Sequence, residues 1–259
     1  MIEEPFATGN SIIHRIDPRF RVAVAVFYSF TIALCYEFES LVAALAVSLV
    51  CILFSEVGLK NVFKRLIIVN VFILLFWIVL PLTYKGNSIY SLGPVDMYMA
   101  GIILAAKITL KSNAILLVLI SLIATMTFAT FGHTLSRFHL PEKLVFLLMI
   151  TYRYIFVIQQ EYQKIIRSIK IRGFKPKTTL HTYKTFAYVI GMLLIRASER
   201  ADRVYNAMRC RGFKGKYYSL TGFQADTKSW VFVTLMLGIT TGIILMEILL
   251  PDVFYRIIT

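Results

Sequence analysis

The chain has 259 residues, 58% of them hydrophobic and only 16% charged, and so carries more apolar surface than a soluble domain of this size can bury. A bilayer is its natural solvent, which excludes an ordinary water-soluble globular fold. The net charge of +14 resembles a nucleic-acid signal until it is mapped: Arg137 to Lys216 holds 17 Lys and Arg against four acidic residues, whereas the remainder holds 11 basic and 10 acidic side chains. One basic module is set into a nearly neutral membrane protein.

The start of the chain, with Glu3, Glu4, Pro5 and Asn10, lacks the basic start and apolar core of a cleaved signal, so the N-terminus is expected to be retained. Apolar runs follow at Phe20 to Tyr36, Leu41 to Phe54, Leu66 to Tyr84, Tyr98 to Phe131 and Trp230 to Leu250. Crossing a hydrocarbon core takes roughly 20 helical residues, which the third and fifth runs supply. The first two are shorter and read as a helical hairpin with an acidic tip at Glu37 and Glu39. The fourth spans about 50 Å as a single helix and holds Lys107 and Lys111, so it is either one tilted helix or two pieces.

Basic residues collect in short cytoplasmic loops. Arg15, Arg19 and Arg21 precede the first run, and Lys60, Lys64 and Arg65 separate the second from the third. Both places are therefore expected in the cytoplasm. Four crossings return the chain inside near Phe131, which leaves the basic module cytoplasmic and sends the last run outward. Three segments result: 1–131, an N-terminal four-helix transmembrane region; 132–227, a basic cytoplasmic module of two long helices; and 228–259, a C-terminal transmembrane helix. The fold class is all-α and polytopic, with five transmembrane helices, or six if Leu144 to Ile158 also crosses. That stretch is preferably an amphipathic helix at the membrane boundary, because Arg153, Gln160, Lys164 and Arg167 fall near one helical face.

The first long helix should end at Gly173 with Pro176 beyond, and a second, from about His181 to Arg211, at Gly212, since glycine accepts the left-handed cap conformation. The two ends resemble each other: Lys170-Ile171-Arg172-Gly173-Phe174-Lys175-Pro176 and Arg209-Cys210-Arg211-Gly212-Phe213-Lys214-Gly215, 39 residues apart. Either alone is an ordinary cap with basic residues facing the negative helix end. The same register twice, on the same side of the membrane, indicates a functional pair. Arg172 and Arg211 each present a planar fork suited to an acidic groove, and Phe174 and Phe213 are expected to be exposed and to pack on a partner or the membrane surface. Between the ends, Arg196, Glu199, Arg200 and Arg203 sit at spacings for opposite-charge contacts along one helix.

The paired Arg-Gly-Phe elements resemble the T-component of energy-coupling-factor transporters, particularly its cobalt, CbiQ-type branch. So do Arg196-Ala197-Ser198-Glu199-Arg200-Ala201, Ala207-Met208-Arg209-Cys210-Arg211-Gly212-Phe213 and the opening His14-Arg15-Ile16-Asp17-Pro18-Arg19. The resemblance covers nearly the whole chain; the family usually has Ala before the motif Arg, where this sequence has Ile171 and Cys210. It implies a multi-pass subunit of the cell inner membrane that is not an enzyme and needs no cofactor. Its two coupling helices would insert Arg172, Gly173, Arg211 and Gly212 into two ATPase subunits, identical or different, and its membrane face would hold a substrate-capture subunit. Cobalt uptake serving cobalamin biosynthesis is the implied role, with nickel or a vitamin as alternative cargo.

The competing classes have less behind them. An integral-membrane enzyme acting on an anionic lipid or polyprenyl phosphate would suit a basic interface, but no acid/base or metal constellation accompanies it. No G-x-x-x-x-G-K-[ST], H-E-x-x-H or Cys-x-x-Cys occurs, so the chain is no P-loop motor. Cys35, Cys51 and Cys210 are far apart; His133 and His139 lie six apart and His14 and His181 are isolated, so no metal site is expected. No nucleic-acid partner is expected, because the basic residues also satisfy topology. Glu247, in the last apolar run near Pro251, is expected to snorkel to the interface.

Overall fold

A computed structural model describes residue 11 and residues 13–83, 88–92, 95–138, 140–214 and 227–249. The segment from Glu3 to Asn10 and the positions His139, Gly215, Lys216 and Pro251, on which some of the expectations above rest, lie outside the described residues.

A 3-10 turn, Ile13–Arg15, leads into α1 (Pro18–Leu34). Asp17 caps it by accepting the Arg19 N–H at 2.9 Å, and Pro18 occupies the first helical position, where its missing N–H has no intrahelical use. The next helices are α2 (Phe38–Ser55) and α3 (Leu59–Thr83), followed by a short antiparallel hairpin of β1 (Ser88–Leu92) and β2 (Val95–Tyr98). Then come α4 (Met99–Leu122), α5 (Phe128–Arg137), α6 (Glu142–Ile171), α7 (Leu180–Cys210) and α8 (Thr227–Leu249). Apart from that hairpin, every element among the described residues is helical.

Among the described residues, five helices are long and apolar enough to cross a membrane: α2, α3, α4, α6 and α8. The number agrees with expectation, but the membership differs. At 17 residues, the same length as the run Phe20 to Tyr36, α1 falls short of the roughly 20 that a crossing takes. The 30-residue α6 qualifies through an 18-residue stretch whose mean hydropathy of 1.2 lies below the 1.9 to 2.7 of the others. Its apolar residues concentrate in Leu144 to Ile158, where Arg153 is the one charge, and Glu161, Lys164, Arg167 and Lys170 follow. The long fourth run is two pieces, since α4 ends at Leu122 and α5 restarts at Phe128. The break coincides with a buried bond between distant parts of the sequence, in which the Arg21 guanidinium of α1 donates to Thr125 Oγ1.

The chain divides into two compact units, one built on residues 135–222 and the other on the residues before and after. In the latter, α4 packs against α1, α2 and α3, and α8 against α1 and α2. Ala25, Ala44 and Ala114 are almost fully buried in its core beside Tyr28, Ile32, Leu41, Val118 and Leu122. Small residues let helix backbones approach closely, the main source of packing energy where lipid is as apolar as the side chains. Gly101 on α4 shows the extreme case: a Cβ there would lie 2.5 Å from the Leu80 carbonyl oxygen and 2.7 Å from Pro81 Cα of α3. Of its 25 residues α3 buries Val62, Ile73 and Pro81, leaving most of its apolar circumference to lipid.

Candidate functional site

Helices α6 and α7 form an antiparallel pair. Phe146 near the start of α6 stacks on Phe213 just past the end of α7, with ring centroids 5.2 Å apart. At the opposite end, Phe174 after α6 meets Phe186 of α7 edge-on at 6.1 Å and lies 6.2 Å from His181. Arg172-Gly173-Phe174 and Arg211-Gly212-Phe213 therefore lie at opposite ends of the pair.

The two ends have the same local structure. Gly173 and Gly212 take φ of 82° and 79°, in the left-handed region that side chains disfavour. The Gly173 N–H donates to Lys170 O at 3.0 Å and the Phe174 N–H to Ile169 O at 3.1 Å. At the second end the Gly212 N–H donates to Arg209 O at 3.0 Å and the Phe213 N–H to Met208 O at 3.1 Å. Both are Schellman caps, which satisfy carbonyls that a helix end leaves open. Arg172 (φ −77°, ψ 12°) and Arg211 (φ −89°, ψ 11°) are the cap residues. Both are exposed, and among the described residues neither guanidinium has an ion-pair partner. The preceding residues, Ile171 and Cys210, are exposed as well. The two phenylalanines are not: Phe174 and Phe213 are half-buried. This corrects the expectation of exposed rings, because each packs on an aromatic of the facing helix.

The charged residues between the ends also pair differently from their spacing. Arg203 and Glu199 make the expected contact along α7, at 3.8 Å. Arg196 and Arg200 instead cross to Glu161 of α6, at 3.0 and 3.1 Å, and Lys164 joins the same carboxylate at 3.2 Å. Glu161 escaped notice in the sequence, although one signal was there: it is the sole acidic residue between Arg153 and Arg172. It opens onto an apolar cleft of about 330 Å³ between α6 and α7, walled chiefly by Ile150, Tyr154, Val157, Leu193, Val204 and Met208.

In the other unit, polar groups at membrane depth tie helices together. Glu247 of α8 accepts the Tyr36 N–H at 2.6 Å and the Glu37 N–H at 3.1 Å, so it caps the start of α2; the expected snorkelling side chain has a structural partner. Lys111 donates to Ala33 O at 3.0 Å and lies 4.3 Å from the Tyr36 ring centroid. The Asp17 N–H donates to Ser229 Oγ at 3.1 Å, which gives the His14 to Arg19 opening a role in joining α1 to α8. Among the described residues, no three His, Cys, Asp or Glu side chains gather as a metal site.

A family model described as a cobalt transport protein, CbiQ, matches residues 9–220, including both Arg-Gly-Phe ends and the opening motif. The chain belongs to the CbiQ family. It is similar to the energy-coupling factor transporter transmembrane protein EcfT of Leuconostoc gelidum subsp. gasicomitatum, with 28% identity over 81% of this chain and 82% of the relative. The EcfT of Bacillus subtilis (strain 168) is 26% identical over 88% and 92%, and that of Ruminiclostridium cellulolyticum 25% identical over 96% and 97%. This CbiQ-family chain is thus a T-component of the energy-coupling-factor class, a transporter subunit and not an enzyme.

Proposed function

We propose that this CbiQ-family chain couples two cytoplasmic ATPase subunits to a membrane subunit that captures the substrate, with Arg172 and Arg211 as the two points of engagement. The observation that carries the reading is the identity of the two ends: the same cap hydrogen bonds, the same glycine conformation, and in the same position on each an exposed guanidinium with no ion-pair partner among the described residues. One chain with two equivalent ends suits a partner that comes as a pair. Each guanidinium would meet acidic groups in a groove on one ATPase, while Gly173 and Gly212 supply the turn that leaves it projecting.

With α1 counted as a crossing and α6 lying at the membrane boundary, the basic module, residues 132–227, belongs in the cytoplasm, with the N-terminus on the same side and the chain in the cell membrane. Supporting this is the charge count of 17 basic against four acidic residues from Arg137 to Lys216. Residues 1–131 and 228–259 would form the membrane region that meets the capture subunit. Cobalt (II) is the proposed cargo, supported by the family's description, and its ligands are assigned to the capture subunit; nickel or a vitamin remains the alternative.

The test is recovery of the ATPases with the tagged chain from its native membrane. Truncating one partner of a buried charged pair typically costs about 2–5 kcal/mol. The double variant R172E/R211E should therefore lose ATPase recovery by roughly tenfold or more and abolish uptake of radiolabelled cobalt. Undiminished recovery and uptake would overturn the coupling reading; recovery with uptake of a different cargo would overturn only the cobalt assignment.

A further inference from the structure

The 39-residue interval between the two caps extends along the whole of α6 and α7. Shifted by 39, Ile169 maps to Met208, the two carbonyls that accept the cap bonds from Phe174 and Phe213. Tyr154 maps to Leu193, Val157 to Arg196 and Ile158 to Ala197, and all six line the cleft between the helices. Glu161 maps to Arg200, and these two equivalent positions are bonded to each other at 3.1 Å. An antiparallel pair whose equivalent positions meet has a local two-fold axis through that contact. Glu161 and Arg200 each lie 11 residues before their motif arginine, or roughly 16 Å of helix.

We infer that Glu161 is the pivot of this pair: the positioning residue that, by holding Arg200 and Arg196, sets the crossing of α6 and α7 and so the spacing and symmetry of Arg172 and Arg211. Opposite charges at the axis attract, whereas two like charges at equivalent positions would face and repel each other. An isolated surface pair contributes little. Here the Glu161 side chain is only 14% exposed and one carboxylate takes two guanidiniums of the facing helix and one ammonium of its own, a network with the hydrogen bonds already formed. Between the Phe146–Phe213 end and Glu161 the cleft separates the helices, and the bonds of Arg196 and Arg200 to Glu161 tie them together at mid-length. The inference gains its functional meaning from the coupling role of Arg172 and Arg211, but the geometry can be tested without it.

The experiment measures the separation of the two ends in the full-length chain in lipid nanodiscs by pulsed electron resonance. Spin labels go on the native Cys210 and on I171C, equivalent and exposed positions, with the buried Cys35 and Cys51 replaced by Ala. Their separation should be roughly 45 Å, about the length of α7. E161K, which sets Lys against Arg196, Arg200 and Lys164, should shift and broaden the distance distribution, and E161Q should broaden it less. The exchange E161R/R200E reverses the Glu161–Arg200 pair but leaves Arg196 and Lys164 facing a cation, so it should return the distribution part of the way to the parent and, in the native membrane, regain part of the ATPase recovery that E161K loses. A distribution unchanged in E161K, or one that the exchange leaves as displaced as E161K does, would overturn the pivot. Failure of the coupling reading is read separately, as undiminished ATPase recovery in R172E/R211E, a variant that leaves the pivot intact.

Discussion

Arg172 and Arg211 differ from Arg196, Arg200 and Arg203 in what surrounds them. Arg196, Arg200 and Arg203 all have carboxylates within 4 Å, and their positive charge is spent inside the unit. The two cap arginines face outward, and what holds them there is the glycine that follows. At Gly212 a Cβ would meet nothing within 4 Å, so any cost of replacement comes from the backbone conformation alone. We expect G212V to cost about 1–2 kcal/mol locally and G212N less, since Asn tolerates the left-handed region. Hydrogen exchange at the Phe213 N–H, bonded to Met208 O, should accelerate in that order, and equal rates in both variants would count against the cap as the determinant. Glu247 acts at the same scale by closing the start of α2 through two backbone N–H groups. Hydrogen bonds to charged groups contribute roughly 1.5–3 kcal/mol, so E247A should lower the melting temperature of the purified chain, with E247Q losing less because its amide oxygen still accepts.

Among elements, α4 organises its unit because it alone packs against α1, α2 and α3 together. Its contact with α3 depends on Gly101, where the α3 backbone lies closer than a side chain permits. We expect G101L to force the two helices apart, at an overpacking cost of about 1–3 kcal/mol or more, read as a lower melting temperature in detergent; an unchanged value would mean that the helices separate there without penalty. Most helix boundaries were legible in sequence, and the caps at Gly173 and Gly212 especially so, because a glycine in a left-handed turn is a local requirement. The internal break of the fourth apolar run was left open, since hydropathy is continuous through it. The break falls where Arg21 from α1 reaches Thr125, a contact 104 residues apart in sequence that no local pattern encodes.

For the molecule as a whole, the proposed placement of the basic module inside the cell makes a chemical prediction. Cys210 is exposed, whereas Cys35 and Cys51 are buried, so a membrane-impermeant thiol reagent reports one position. Labelling should occur in inside-out vesicles and not in right-side-out ones; the reverse pattern would invert the topology. Read by itself, the chain of residues established a bilayer-spanning all-α protein, a segregated basic module, and twin Arg-Gly-Phe helix ends. Each of these is a matter of composition, periodicity or a local backbone demand, and each is written in consecutive residues. Three-dimensional packing settled the rest: that Arg196 and Arg200 answer to Glu161 on the neighbouring helix and not to Glu199, that Phe174 and Phe213 turn inward, and that Glu247 is a cap. Charge spacing along one helix names the contacts that chain can make with itself. Which contacts form depends on what lies across the interface, because an ion pair or an aromatic contact goes to the partner that also removes it from solvent.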